Sequence, residues 1–162
     1  LKVERRGIFH HYLYPYQYQK NLNYNYNPDI NGQFVVRTIE ANDAATEADY
    51  ARMHFFIKTD YPFVDNSIHI YGGFNDFEIE DATKMYYNES EKMYEGSILL
   101  KQGFYNYTFV GVDENNNINT RLIRGSFFET ENEYTVIVYY KPIGGFFDRV
   151  IGIGSATFNL DR

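Results

Sequence analysis

Hydrophobic and polar side chains alternate along most of this chain, and the alternation predicts β-strands rather than helices. About nine strands are predicted, at the spacing typical of an antiparallel sandwich. They cover residues 33–40, 50–59, 67–71, 85–87, 93–100, 104–110, 121–128, 133–140 and 149–158. Residues 113–117 (DENNN) predict a hairpin turn, and residues 41–48 predict a loop or a single helical turn.

The first 30 residues show a different pattern, in which aromatic side chains recur at every second position. The recurring residues are Tyr12, Tyr14, Tyr16 and Tyr18, interrupted by Pro15, and then Leu22, Tyr24 and Tyr26. Side chains two positions apart on an extended chain share one side. Two interpretations stay open: an edge segment that packs its aromatic side on the sandwich, or an exposed aromatic stripe that docks a partner.

Composition indicates a single domain with a real core, spanning residues 1–162. The chain starts at Leu1 rather than Met, so we expect a fragment of a longer protein. Fifteen basic and 22 acidic residues give a net charge of −7, which argues against nucleic acid as a partner. No apolar run approaches the roughly 18 residues of a membrane helix, so no direct membrane insertion is expected. Cysteine is absent, which excludes disulfides and thiolate metal sites.

Metal binding has little support in the sequence. The four histidines, His10, His11, His54 and His69, lie in separate predicted strands or point apart within one. Asp113, Asn115 and Asn117 resemble the start of a calcium loop. The match then fails, because Ile118 stands where the turn needs Gly and Arg124 where a bidentate Glu belongs. We therefore expect no metal, no cofactor and a polar hairpin at this place.

Catalysis has little support either, so the chain is predicted not to be an enzyme. Asp76, Glu78, Glu80 and Asp81 form an acidic cluster. Paired carboxylates serve general acid–base chemistry, but here Phe77 and Ile79 interleave with them, as on a half-solvated strand or loop. An enzyme that uses this cluster is the weakest of three functional hypotheses.

One broad resemblance concerns residues 71–77 (YGGFNDF) and 105–109 (YNYTF). They resemble the early-set immunoglobulin-like domains, which include glycogen- and starch-binding modules with a G-x-F-N-x-W turn and a Y-x-Y-K-F strand. The resemblance implies an immunoglobulin-like antiparallel sandwich. This chain has Phe77 at the position of the Trp and Thr108 at the position of the Lys, so the sugar-binding groups do not match. Asn75 and Phe77 remain candidate sugar contacts, against a plainer reading as a turn residue and a packed ring.

A closer resemblance covers nearly the whole chain. Its most specific strings are SFFETEN at residues 126–132, YYKP at 139–142 and FDRVIG at 147–152; further matches fall at 7–9, 14–17, 32–37, 94–97 and 102–103. They resemble the carboxyl-terminal part of a family of Bacteroidetes, formerly a domain of unknown function, that is described as the plug protein of the type IX secretion translocon.

That resemblance implies a periplasmic protein associated with the outer membrane. Its partner would be a large outer-membrane β-barrel, whose periplasmic mouth the plug closes sterically. Tyr and Arg are enriched at the centres of interfaces. The candidate partner contacts are therefore Tyr12, Tyr14, Tyr16, Tyr18, Phe146, Phe147 and Arg149. The alternative function is carbohydrate binding through an α-glucan-like ligand.

Overall fold

A computed structural model of the chain describes residues 2–18, 30, 32–38, 43–125 and 132–158. The described residues divide between two compact units, one before residue 126 and one of residues 132–158. The single domain over residues 1–162 stays a prediction. In the described ranges, no helix is long and apolar enough to cross a membrane.

Strands make up most of the described chain, with one α-helical turn and two 3-10 turns. The strands are β1 (Lys2–Arg6), β2 (Ile8–Tyr12), β3 (Tyr16–Gln17), β4 (Phe34–Val36), β5 (Tyr50–Lys58), β6 (Ser67–Tyr71), β7 (Lys84–Asn88), β8 (Met93–Lys101), β9 (Gly103–Tyr105), β10 (Thr108–Val112), β11 (Ile118–Asn119), β12 (Asn132–Tyr140) and β13 (Arg149–Phe158). The helix α1 is Ala44–Glu47, and the 3-10 turns are Gly73–Asn75 and Asp81–Thr83.

The first unit is an all-β sandwich, as predicted. Its strands follow the order β1-β2-β5-β8-β7-β6-β10-β11. Strand β7 joins the two layers, because residues 86–88 pair with β8 while residues 84–85 pair with β6. With β2 as strand A, the layers β2-β5-β8-β7 and β6-β10-β11 have the ABED and CFG order of immunoglobulin domains. Two pairings differ from the antiparallel expectation, because β2 and β3 both run parallel to β5.

The core lies between these layers and takes its side chains from both. Its buried members are Phe55, Ile57, Ile68, Ile70, Met85, Tyr94, Phe109 and Ile123. Alternate residues of β5 and β6 supply two each, as strand periodicity requires. The buried Tyr94 hydroxyl accepts a hydrogen bond of 2.8 Å from the backbone N–H of Phe63, so burial of this ring leaves no polar group unpaired.

Three predicted strands are wrong in part. The stretch 33–40 is a strand only at β4, since residues 33, 37 and 38 are not in a strand and residues 39–40 lie outside the described residues. Residues 121–124 form a turn in which the Gly125 N–H donates to the Arg121 carbonyl at 2.9 Å, and residues 126–128 lie outside the described residues. The stretch 104–110 is two strands, because β9 pairs with β4 whereas β10 pairs with β6. Asn106 marks the crossing, where its N–H donates to the Gln33 carbonyl. Alternation of side chains does not reveal a change of pairing partner.

Two predicted local features are confirmed. Residues 113–117 close the hairpin between β10 and β11, with the Asp113 N–H donating to the Asn117 carbonyl at 3.2 Å. The stretch 41–48 contains only the single turn α1 in its described part. Asp43 begins that turn, since its carboxylate accepts from the Thr46 hydroxyl and its N–H donates to Glu47 Oε2.

The second unit is an antiparallel hairpin of β12 and β13. Its register shifts between Val138 and Tyr139, where Ile151 is the extra residue of a bulge. In the connection, the Gly145 N–H donates to the Pro142 carbonyl at 2.8 Å. Gly144 has a φ of +79°, a backbone conformation that a side chain disfavours.

Candidate interaction surfaces

The hairpin of β12 and β13 exposes apolar side chains on both of its faces. One face carries Tyr134, Val136 and Val138, and the other carries Ile137, Tyr139 and Ile153. Residues 133–140, 149–151 and 153–157 are all exposed, and Gly152 is half-buried. A two-stranded hairpin is marginally stable in water when it stands alone. Both faces therefore have the composition of a surface that another molecule covers.

The edges of this hairpin are a second feature suited to contact. Strands β12 and β13 pair with each other and with no further strand among the described residues. Each therefore presents one row of backbone N–H and C=O groups to its surroundings. A strand of another chain adds to such an edge through main-chain hydrogen bonds, and side-chain pockets supply specificity.

The loop between β12 and β13 and the first residue of β13 hold three predicted partner contacts, and all three are exposed. Phe146 is 89% exposed and Phe147 is 77% exposed, and Arg149 follows them at the start of β13. Ile143, in the same loop, is fully exposed. Large apolar side chains at the tip of a hairpin gain free energy only when a partner removes them from water.

The four predicted tyrosine contacts do not form one stripe. Tyr16 and Tyr18 pack against the core cluster, and the Tyr18 ring meets Phe63 edge-on with centroids 5.2 Å apart. Tyr12 stacks on His54 with centroids 4.3 Å apart, whereas Tyr14 is exposed. Residues 13–15 lie between β2 and β3 and leave the strand geometry, so the alternation that would align four rings is broken there. Tyr24 and Tyr26, which continue the pattern, lie outside the described residues.

The two predicted sugar contacts lie at the 3-10 turn Gly73–Asn75. Asn75 Nδ2 donates to the Glu78 carbonyl at 2.7 Å, and its Oδ1 is buried without a hydrogen-bond partner among the described residues. The Phe77 ring packs 5.4 Å from the Tyr71 ring and covers Gly32, where a Cβ atom would lie 3.0 Å from the ring. Phe77 still exposes 36% of its surface, at a backbone φ of +59°.

The acidic cluster consists of exposed carboxylates. Asp76 caps the 3-10 turn in the left-handed conformation, and Glu80 and Asp81 begin the next 3-10 turn. The side chains of Asp76, Glu78, Glu80 and Asp81 are all solvent-accessible. Asp76, Glu80 and Asp81 therefore each have a place in the backbone of a 3-10 turn.

The hairpin turn at Asp113 is held by its own polar groups. Asp113 Oδ1 accepts from the backbone N–H of Asn115 and of Asn117, and Oδ2 accepts from Asn117 Nδ2. These hydrogen bonds lower the pKa of the Asp113 carboxyl, that from the Asn117 side chain most. The carboxylate oxygens are already engaged within the turn, as in an Asx motif.

Two histidines that the sequence separates come together. His10 Nδ1 lies 2.9 Å from His54 Nε2, and the two rings stack at 22°. Strand β2 brings them together because it runs parallel to β5, a pairing that alternation does not specify. Among the described residues, no three His, Cys, Asp or Glu side chains are grouped so as to hold a metal ion.

His69 occupies a polar pocket inside the sandwich. Its Nε2 lies 3.1 Å from the Ser67 hydroxyl and its Nδ1 lies 3.2 Å from the Thr83 hydroxyl. Burial lowers the pKa of this imidazole, so it is neutral at pH 7. Both ring nitrogens have partners, which makes His69 a structural residue.

Sequence reasoning named the tip of the hairpin as a partner contact but missed the faces of its two strands, although a signal was present. Residues 136–140 (VIVYY) are apolar without alternation, a pattern typical of strands covered on both faces. The hairpin has that composition and an uncovered environment. Because of this contrast, the hairpin is the strongest candidate surface in the part of the chain that the structure describes.

No family model matches the chain, and no curated protein matches it. Among solved structures, the chain is similar to a hypothetical protein from Parabacteroides merdae, whose crystal structure was determined at 2.30 Å resolution. The two are 34% identical, with a TM-score of 0.84 and coverage of 96% of this chain. The chain spans 40% of the length of that protein. The similarity supports the fold and assigns no activity.

Proposed function

We propose that this protein is a non-enzymatic interaction module that docks through the β12–β13 hairpin. The observation that carries the proposal is the exposure of apolar side chains on both faces of the hairpin and at its tip. The first unit, taken by itself, is a sandwich with a buried core, so its own fold does not depend on the partner.

The partner that we propose is an outer-membrane β-barrel, whose periplasmic opening the protein closes. The resemblance of residues 126–132, 139–142 and 147–152 to the plug proteins of type IX secretion supports this partner, and two of those strings lie in the hairpin unit. Closure is steric, so the module needs a rigid body and an anchoring surface and no chemistry. This role places the protein in the periplasm.

The test is capture of the partner from the native cell envelope with the tagged full-length protein. We expect an outer-membrane β-barrel in the eluate, and we expect Phe146→Ser with Phe147→Ser to remove it. Truncation of two hot-spot aromatics costs about 2 kcal/mol or more each, which is roughly 30-fold in affinity per residue.

A matched control separates docking from a general loss of apolar surface. Tyr61 (80% exposed) and Val64 (89% exposed) lie between β5 and β6, in the first unit. Tyr61→Ser with Val64→Ser removes a similar exposed area and should leave capture unchanged. Equal capture by the wild type and the Phe146/Phe147 variant would contradict the proposed surface.

Carbohydrate binding is the second candidate function. It is favoured by one observation, the partly exposed Phe77 ring beside Tyr71. Aromatic rings of this kind stack on the apolar face of a sugar. Loss of α-glucan binding in Phe77→Ala, with Tyr61→Ala as the control, would support it. Absence of glucan binding in the wild type would dismiss it.

A further inference from the structure

A cavity of about 760 Å³ opens in the first unit, and its lining shares no residue with the predicted partner or sugar contacts. It lies against the inner sides of β2, β5 and β8, next to β9. Its apolar lining includes Phe9, Met53, Leu100, Phe104, Tyr105 and Tyr107. The volume falls within the roughly 300–1,000 Å³ of small-molecule sites, which are mostly apolar with a few polar groups.

The floor of this cavity belongs to the core of the sandwich. Met53 and Tyr107 pack against the buried core cluster, and the Phe55 ring meets the Tyr107 ring edge-on with centroids 4.9 Å apart. The ring of Tyr105 is fixed by its hydroxyl, which donates to the Lys101 carbonyl at 2.9 Å. A floor fixed in this way preserves its shape, so a ligand does not have to order it.

The walls of the cavity expose apolar surface that a bound ligand would cover. Phe9 and Phe104 are about half exposed, as are Val3 and Tyr50, and all four line the cavity. Burial of apolar area is worth about 25 cal/mol per Å², so each covered side chain contributes to binding. The lining therefore selects a molecule with an apolar body.

Charged side chains that line the cavity indicate the charge that the polar end of the ligand carries. The described lining includes the exposed carboxylates of Glu47 and Asp49 and the ammonium group of Lys101. Lys101 Nζ lies 5.6 Å from the centroid of the Tyr50 ring. Two carboxylates and one ammonium give these groups a net negative charge, which complements a cation. Half-exposed rings such as Tyr50 and Phe104 also attract a cation to their faces.

We propose that this cavity binds a small amine with an apolar body, an aliphatic or aromatic ammonium ion. The apolar body fills the space between Phe9, Met53 and Phe104. The ammonium end lies at the carboxylates of Glu47 and Asp49. This site is independent of the hairpin, so it stands or falls separately from the proposed docking function.

Methyl NMR of the unaltered protein tests the site directly, because the chain has only three methionines. Met53 lines the cavity, whereas Met85 is buried in the core and Met93 lies outside the lining. We expect octylamine to shift the Met53 methyl signal saturably and to leave that of Met93 in place. Octanoate, of equal chain length and opposite charge, should bind at least about tenfold more weakly, as an unfavourable charge contact of about 1.4 kcal/mol predicts.

Each contrary result overturns a defined part of the proposal. No movement of the Met53 signal at any soluble concentration of octylamine would overturn the site. Equal or tighter binding of octanoate would overturn the assignment of a cationic ligand. Parallel movement of the Met53 and Met93 signals would identify non-specific adsorption and would also overturn the site.

Two variants add an independent check. Ala51→Phe places a ring inside the cavity and should abolish the Met53 response, whereas Leu99→Phe, on the adjacent strand but outside the lining, should retain it. If Ala51→Phe fails to fold, Asp49→Asn replaces it. That variant should weaken octylamine binding several-fold and leave octanoate binding no weaker, with Asp60→Asn as the exposed control. Unchanged octylamine affinity in both Ala51→Phe and Asp49→Asn would contradict the site.

Discussion

The replacement of Ile70 by Ala tests the sandwich core most sharply. Ile70 is fully buried in β6, between side chains from both layers. A Cβ atom on Gly96 would lie 3.2 Å from Ile70 Cδ1 and 2.9 Å from Met85 Cγ, so Ile70 packs directly over the backbone of β8. Backbone moves less easily than side chains, so the space left by the truncation cannot close.

The expected cost follows from that packing. Ile→Ala in a core costs about 2–5 kcal/mol, and a site that cannot collapse lies in the upper half of that range. We therefore expect Ile70→Ala to lower the free energy of unfolding by about 3–5 kcal/mol. For a domain of this size the Tm should fall on the order of 10–20 °C.

Urea unfolding followed by circular dichroism measures this cost, with Ile153→Ala as the matched control. Ile153 lies in β13 and is 72% exposed, so the same truncation there should change stability by no more than about 0.5 kcal/mol. The m-value should stay constant in both variants. A loss below about 1 kcal/mol for Ile70→Ala, or equal losses for the two, would refute the assignment of core and surface.

Three further predictions concern local structure. Gly103→Ala should cost about 1–3 kcal/mol, because its Cβ atom would overlap the Val35 carbonyl oxygen in the β4–β9 pair; Gly154→Ala, with open space around it, should not, and equal stability would contradict the pairing. Asp113→Ala should destabilise the protein at pH 7, because the folded-state pKa of this carboxyl is lowered and the carboxylate stabilises the fold only while it is charged. The difference in urea stability between this variant and the wild type should therefore disappear as the pH falls below about 4, and a pH-independent difference would contradict this. The wild type should lose stability as the pH falls from about 7 to 5, because His69 binds a proton near pH 6.5 in the unfolded state but has a lowered pKa when buried in the fold. His69→Gln should remove part of this loss, and parallel pH profiles of the two proteins would show that His69 does not contribute.

Most of the sandwich is predictable from the sequence because hydrophobic and polar side chains alternate along its strands. The sandwich strands β5, β6 and β8 lie within one residue of the predicted bounds, and so do the hairpin strands β12 and β13. Polar turns at residues 113–117 also follow from residue type, since Asp and Asn side chains hydrogen-bond to the backbone nearby. These features depend on interactions between residues close in sequence.

What escaped prediction depends on which strands are neighbours. The parallel pairing of β2 with β5, and with it the contact of His10 with His54, is set by long-range packing. The environments of Tyr12, Tyr14, Tyr16 and Tyr18 also depend on packing. Strand alternation would place these four side chains on one side of the chain, but the strand is interrupted around Pro15 and they lie in different environments. Ile123 is a buried core residue that lies in a turn, so the alternation of side chains along a strand could not identify it.

The most direct test of the docking account compares envelope capture by the tagged full-length wild type, by Phe146→Ser with Phe147→Ser, and by Tyr61→Ser with Val64→Ser. All three proteins are first shown to be equally folded, and the bound proteins are identified by mass spectrometry. The account predicts an outer-membrane β-barrel in the eluates of the wild type and the control, and its loss from that of the hairpin variant. The same barrel in all three eluates, or in none, would contradict it.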